Sequence, residues 1–185
     1  MDGVDWPCVG QAVVLLHKPA GLECSARPQH HGSVLSLLPA PLLARGVQPV
    51  GRLDADTTGA LLLTDDGALL HRLTAPKRHV EKTYEVGVRH PLDAAQLAAL
   101  TAGVVLHDDP APVRALRAEA TGERALRLVL DRGKYHQVKR MLAAVGNRVD
   151  TLHRSAFAGL GVDGLAPGAW RWLDPSERDR LSRLG

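Results

Sequence analysis

A chain of 185 residues, 45% apolar and 23% charged, can bury a sizeable core, which excludes a disordered segment and a small disulfide-stapled scaffold. Cys8 and Cys24 have no companions and no zinc-like spacing, so reduced thiols are expected, and no apolar run approaches the ~18 residues of a membrane span. The net charge of +3 permits a nucleic-acid partner without requiring one, and the excess is local: Arg132, Lys134, Lys139, Arg140, Arg148 and Arg154 stand against one acid, Asp150.

Residues 1–11 show no periodicity and are expected to form a tail. Met1 to Gly10 lacks the basic-then-apolar order of a secretory signal, so a cytoplasmic location is expected. Ala12 to Leu16 reads as a buried strand, ended by the turn Lys18-Pro19-Ala20-Gly21. Glu23 to Gly32 is polar and reads as a loop, after which Ser33 caps a short helix from Val34 to Leu38 that Pro39 and Pro41 stop. The stretch Val50-Gly51-Arg52-Leu53-Asp54-Ala55-Asp56-Thr57-Thr58-Gly59 places two carboxylates and an arginine between glycines, and the apolar strand Ala60 to Thr64 follows at once.

Asp66-Gly67 opens a short helix through Leu69, Leu70 and Leu73 that ends before Pro76. From Val80 to Val88 the period is two, with Val80, Lys82, Tyr84, Val86 and Val88 on one face and Glu81, Thr83 and Glu85 on the other. A lysine and a tyrosine among valines imply that this face meets a cleft as well as a core. Asp93-Ala94-Ala95-Gln96 is a capping box for a helix that Gly103 ends. Short strands are expected over 104–106, 113–119 and 124–130, the last two as a hairpin around Thr121-Gly122.

Gln137 to Val145 is an amphipathic helix, with Val138, Met141, Leu142 and Val145 on its apolar side and Gly146 as its stop. A strand over 148–154, a glycine-rich segment around Gly159, Gly161 and Gly164, and a short exposed helix opened by Asp174-Pro175-Ser176-Glu177 complete the chain. Strands outnumber helices without strict alternation, which predicts an α+β fold with a mixed, largely antiparallel sheet flanked by helices. Neither an internal repeat nor a low-complexity linker divides the chain.

Asp54 and Asp56, two apart in extended backbone, would point to the same side. Such a pair fits glycosidase chemistry, although carboxylates in a glycine-bounded loop more often form turns. The helix that begins after Gly133-Lys134-Tyr135-His136 carries Lys139 and Arg140; on periodicity this is a solvated basic face, but a helix N-terminus beside a basic cluster also suits phosphate. None of the nine histidines has metal-ligand spacing, and no glycine-rich nucleotide motif is present, so neither a metal nor a nucleotide cofactor is expected.

Gly51-Arg52-Leu53-Asp54-Ala55-Asp56-Thr57-Thr58-Gly59, Glu81-Lys82-Thr83-Tyr84 and Gly133-Lys134-Tyr135-His136-Gln137-Val138-Lys139-Arg140-Met141 together resemble, in order, the motifs of bacterial rRNA pseudouridine synthases of the RsuA type. The resemblance runs from about Val13 to Leu181. The third motif, followed by Ala-Ala-Val-Gly-Asn and Leu-His-Arg, is similar to the small-subunit branch, whereas large-subunit relatives tend to have Arg-Asn-Arg-Gln there.

The resemblance implies an isomerase with a pseudouridine synthase catalytic core over residues 12–185, acting on one uridine of 16S rRNA, without metal or organic cofactor. Asp54 matches the catalytic nucleophile, Tyr84 the tyrosine that stacks on the base, and Lys139 the basic residue paired with the aspartate. Leu152 matches an apolar residue of the pocket and Arg52 an arginine that holds the flipped nucleotide. Lys82, Lys134, His136, Gln137, Arg140 and Arg154 are expected RNA contacts. Asp56 is expected to shape the loop. Relatives commonly carry a small N-terminal RNA-binding domain that is expected to be absent here, which leaves free 16S rRNA or an assembling small-subunit particle as the substrate; a monomer is expected. A large-subunit rRNA synthase and a non-catalytic RNA-binding assembly module are the alternatives.

Overall fold

The computed structural model describes residues 9–107 and 109–184, so the greater part of the expected tail lies outside the described residues. In chain order the strands are β1 (Val13–Lys18), β2 (Leu22–Glu23), β3 (Gly32–Ser33), β4 (Gln48–Pro49), β5 (Thr58–Thr64), β6 (Lys82–Val88), β7 (Val104–Leu106), β8 (Asp109–Val113), β9 (Arg117–Gly122), β10 (Ala125–Leu130), β11 (Val149–Phe157), β12 (Leu160–Gly161) and β13 (Trp170–Trp172). The helices are α1 (Ala40–Ala44), α2 (Gly67–Thr74), α3 (Ala94–Ala102), α4 (Gln137–Ala144) and α5 (Pro175–Arg183), with 3-10 turns at Val34–Leu37 and Pro76–Arg78.

One large sheet runs β13-β1-β5-β11-β6-β10-β9, with β4 and β12 paired at its side. All its pairings are antiparallel except β5 with β11, so the α+β, largely antiparallel expectation holds. The two halves of the sheet differ in a way their sequences dictate. Strands β1 and β5 are nearly continuous apolar runs because both faces are covered. Val13, Leu15, Ala60 and Leu62 pack with Leu69, Leu73 and Leu181 of α2 and α5, while Val14, Leu16, Leu61 and Leu63 pack with Val34, Leu38 and Leu42 on the other side. Strand β6 instead alternates. Its Tyr84, Val86 and Val88 join a core closed by α3 and α4, and on the opposite face Glu85 pairs with Arg127, its neighbour across the β6–β10 ladder.

The junction of the halves is the parallel pair β5–β11, and it depends on Gly59. A β-carbon there would stand 2.1 Å from the Arg154 carbonyl oxygen, and its φ of +110° is foreign to other residues. No larger side chain permits this approach, which brings the Asp54 loop alongside β11.

Both capping boxes form as expected, on Asp93 with Gln96 and on Asp174 with Glu177. Several elements differ from expectation. The helix expected from Val34 to Leu38 is a 3-10 turn that stops before Pro39, as expected, but Pro39 and Pro41 also open a second helix, α1, where a missing N–H is harmless. The strand expected over 113–119 is interrupted: Val113 ends β8 and Arg117 begins β9, and β8 carries Pro110 and Pro112, tolerated because among the described residues it pairs only with β7. The hairpin turn falls on Glu123-Arg124, just past Thr121-Gly122. Strand β13 carried no recognised signal, because three residues give too short a pattern. The final helix is only partly exposed, with Glu177 and Leu181 buried.

Candidate active site

A cavity of about 440 Å³ opens between the Gly51–Gly59 loop, strands β6 and β11, and the segment that leads into α4. All four residues expected to bind substrate (Arg52, Tyr84, Lys139 and Leu152) line it, together with Asp54. Residues as much as 100 positions apart, Arg52 and Leu152, are therefore brought together by the central strands.

The Asp54 loop is held from beneath. Lys18, at the end of β1, is fully buried, and its ammonium donates to the carbonyl oxygens of Asp54 at 3.1 Å, Ala55 at 3.3 Å, Thr57 at 2.9 Å and its neighbour Pro19 at 3.0 Å. Burial depresses the Lys18 pKa, against the opposing pull of Cys24, Asp56 and Asp54. Thr57 N–H closes a turn onto the Asp54 carbonyl, Gly21 N–H donates to Ala55, and Leu53 N–H to the Cys24 sulfur. A buried point charge that gathers backbone carbonyls leaves the carboxylate of Asp54 little freedom to wander. Lys18 was not singled out from sequence. The available signal was a lysine two residues beyond a fully apolar run, but its partners are carbonyl oxygens, which leave no mark on side-chain pattern.

The other wall comes from the segment before α4. His136 has φ of +48° and sits at the helix N-terminus, which turns its ring toward the loop: Nε2 lies 3.2 Å from Asp54 Oδ1. Lys139, one turn into the helix, places Nζ 3.3 Å from Asp54 Oδ2. The same ammonium is closer to Asp56, at 2.8 and 2.9 Å from its two oxygens. Burial alone would lower the Lys139 pKa, but the Asp56 hydrogen bond and the charges of Asp54 and Asp56 raise it overall; the hydrogen bond from Lys139 in turn holds the Asp56 carboxyl below its ordinary value. Asp56 is thus more than a loop former, since it shares the lysine. Its side chain is 70% exposed and it does not line the cavity.

Tyr84 is nearly buried on the cavity face of β6, and Leu152 lies two residues before Arg154 on β11, both lining the cavity. Arg52 is exposed at the rim. Among the expected RNA contacts, Lys82, Lys134, His136, Gln137 and Arg154 line the cavity. Gln137 and Arg154 are buried, so they belong to its wall and not to an outer surface. Gln137 accepts a hydrogen bond from the Lys134 N–H and so shapes the segment before α4. Lys134 forms an ion pair with Asp109. Arg140 does not line the cavity; its guanidinium donates to the Tyr135 carbonyl. Exposed Tyr135 stacks on His136 with ring centres 3.7 Å apart. Phe157, which the sequence reading passed over, also lines the cavity. Among the described residues no group of three or more His, Cys, Asp or Glu side chains is placed to hold a metal ion, and no helix is long and apolar enough to cross a membrane.

The sequence profile of the RNA pseudouridylate synthase family matches residues 12–144, which cover the Asp54 loop, Tyr84 and Lys139, and the chain belongs to that family of enzymes. Among its relatives, the ribosomal small subunit pseudouridine synthase A of Yersinia pestis is 42% identical over 170 residues, 91% of this chain and 72% of the relative. The protein of the same name from Escherichia coli K12 is 41% identical over 169 residues, 91% of this chain and 73% of the relative. A crystal structure of a pseudouridylate synthase superposes with a TM-score of 0.87 at 37% identity, over 92% of this chain and 74% of that one. At 15% identity and a TM-score of 0.56, the archaeal box H/ACA Nop10-Cbf5 complex shares the fold alone.

Proposed function

We propose that the chain converts a uridine of small-subunit, 16S, ribosomal RNA to pseudouridine, with Asp54 as nucleophile and residues 12–185 as the catalytic domain. The observation that carries this reading is the position of Asp54: a carboxylate at the wall of a half-enclosed cavity, hydrogen-bonded by Lys139, within reach of His136, and sharing the cavity with Tyr84. The names of the relatives supply the RNA class.

The reaction exchanges one glycosidic bond for another. The bond from ribose C1′ to uracil N1 breaks, C1′ is met by an Asp54 oxygen, and the electron pair leaves with the base. The uracil turns, C5 bonds to C1′, Asp54 is released, the C5 hydrogen departs as a proton, and N1 gains one. Substrate and product are isomers, so no oxidant or group donor enters.

Each step asks something of the site that these residues can supply. A uridine in a helix cannot reach Asp54, so it must leave the stack, and the cavity volume suits one nucleoside. The Tyr84 ring offers a flat apolar surface for the base, and Leu152 and Phe157 help exclude water from the detached ring. Lys139, shared with Asp56, orients the nucleophile, and the exposed Arg52 can reach a phosphate at the rim.

The test is a pseudouridine map of ribosomal RNA from cells with and without the gene, and from cells carrying Asp54→Asn. One 16S uridine should lose its modification in both altered strains. A change confined to large-subunit RNA would overturn the 16S assignment, and an unchanged map would favour a non-catalytic assembly role.

A further inference from the structure

The pairing of β6 with β11 builds a patch that the reaction scheme above does not use. Across that ladder Tyr84 stands opposite Arg154, and Lys82 opposite Phe157. Directly paired side chains of an antiparallel ladder lie about 5 Å apart on one face, and residues two apart on a strand about 6.6 Å apart. A base stacked on Tyr84 therefore has a guanidinium beside it and an ammonium at the next position, and all four residues line the cavity.

These two cations are poorly satisfied by the protein. Arg154 is 2% exposed; its Nε donates to the Ala60 carbonyl at 2.8 Å, but its Nη2 is buried without a hydrogen-bond partner. A buried donor left unpaired is destabilising, and more so on a charged group, so the arrangement calls for a partner that the protein does not supply. Lys82 donates to the Val80 carbonyl at 2.7 Å and, among the described residues, has no carboxylate in hydrogen-bond contact. Its ammonium lies 5.8 Å from the Phe157 ring centre, and the Arg154 guanidinium 5.0 Å from the same ring. Burial first, then the charge of Arg154, brings the Lys82 pKa down to about 8 against a smaller opposing pull from Asp131. Asp131 is itself engaged by His79 at 2.8 Å, and Lys134 by Asp109; Arg132 and Asp54 line the same cavity.

Two cations over one aromatic ring, with no carboxylate among the described residues hydrogen-bonded to either, disfavour the empty site and favour an anion. The uridine-isomerising reaction makes one there. When the bond between N1 and C1′ breaks, the electron pair stays on uracil and spreads over N1, O2 and O4. We propose that Lys82 and Arg154 form an anion-accepting floor that holds the uracil ring while it carries this charge, between departure from N1 and attack by C5. Asp54 serves the ribose side of the broken bond and the floor serves the base side. Electrostatic donors fixed before the charge appears are the most effective kind, because nothing must reorganise. The proposal rests on the uridine-isomerising reading, but not on which RNA is the substrate.

Barbiturate is the probe that separates the two. It has the pyrimidine ring of uracil and carries a full negative charge at neutral pH. By isothermal titration the wild-type protein should bind barbiturate about tenfold or more tighter than uracil, the difference between a charged and a neutral hydrogen bond. Lys82→Met should abolish that preference and Lys82→Arg should keep it. In single-turnover release of tritium from 16S transcripts labelled at uridine C5, Lys82→Met should lower the rate about 10²–10³-fold, as loss of one oxyanion donor does. Lys82→Arg should restore most of it. The wild-type rate should hold steady below pH 8 and fall above it as Lys82 loses its proton, and Lys82→Arg should remove that fall.

Equal binding of the two pyrimidines, or a barbiturate preference that survives Lys82→Met, would overturn the floor; so would a wild-type rate in that variant. Should Lys82→Met fail to fold, Lys82→Arg decides alone, since a persistent fall above pH 8 in that variant contradicts the assignment. Barbiturate preference without tritium release from 16S transcripts would overturn the 16S reading and leave the floor standing.

Discussion

The two segments that meet at the cavity are anchored by opposite means. The Gly51–Gly59 loop, which carries Asp54, is fixed through its backbone by a buried ammonium and by the close approach of Gly59 to β11. The Gly133–Gln137 segment, which carries His136, is fixed through side chains: the Lys134–Asp109 ion pair, the Gln137 amide and, one turn on, the Lys139–Asp56 pair. Buried polar anchors in low dielectric hold one geometry, whereas partly exposed ion pairs are weakened by salt and yield to a partner. The two anchors divide the labour. Asp54, the proposed nucleophile, is preset, and the wall proposed to meet RNA can adjust.

The largest effect expected from breaking this contrast is at Lys18. Lys18→Met removes the donor shared by three loop carbonyls and should cost about 3–5 kcal/mol of stability by urea unfolding, with activity lost even where the protein stays folded. Gly59→Ala attacks the same loop from the sheet side. It should lose on the order of 3 kcal/mol, because a backbone carbonyl 2.1 Å away cannot be pushed aside as a flexible side chain can.

Smaller effects belong to the other segment. Asp56→Asn should change stability by no more than about 1 kcal/mol, while single-turnover activity falls several-fold as Lys139 loses its nearer partner. Because the Asp56 pKa is lowered in the folded state, its contribution is present above the ordinary carboxylate range and is lost as pH falls through the folded value. Asp56→Asn should therefore flatten part of the acid limb of the stability curve. Least of all, Asp109→Asn should leave the melting temperature almost unchanged and weaken RNA binding or turnover only slightly, less at high salt than at low.

The same contrast explains what the sequence disclosed. Side-chain pattern revealed the cavity face of β6, because Lys82 and Tyr84 interrupt a period-two row of valines, and it revealed α4 through the spacing of Val138, Met141 and Leu142. Motif order pointed to Asp54 and Lys139, which the fold brings to 3.3 Å. Lys18 and the second function of Asp56 were hidden because each depends on a meeting between distant segments. Carbonyl oxygens look alike at every position, so a residue whose work is to gather them has no motif. Arg154 was readable as basic but not as buried: only the parallel pairing that Gly59 permits places it inside.

The measurement that bears most directly on the proposed role of Asp54 is pseudouridine formation by Asp54→Asn in 16S rRNA, read site by site beside a binding assay on the same RNA. The expected result is retained RNA binding with no pseudouridine at the target. Modification at the wild-type level in that variant would remove Asp54 from the chemistry and contradict the account.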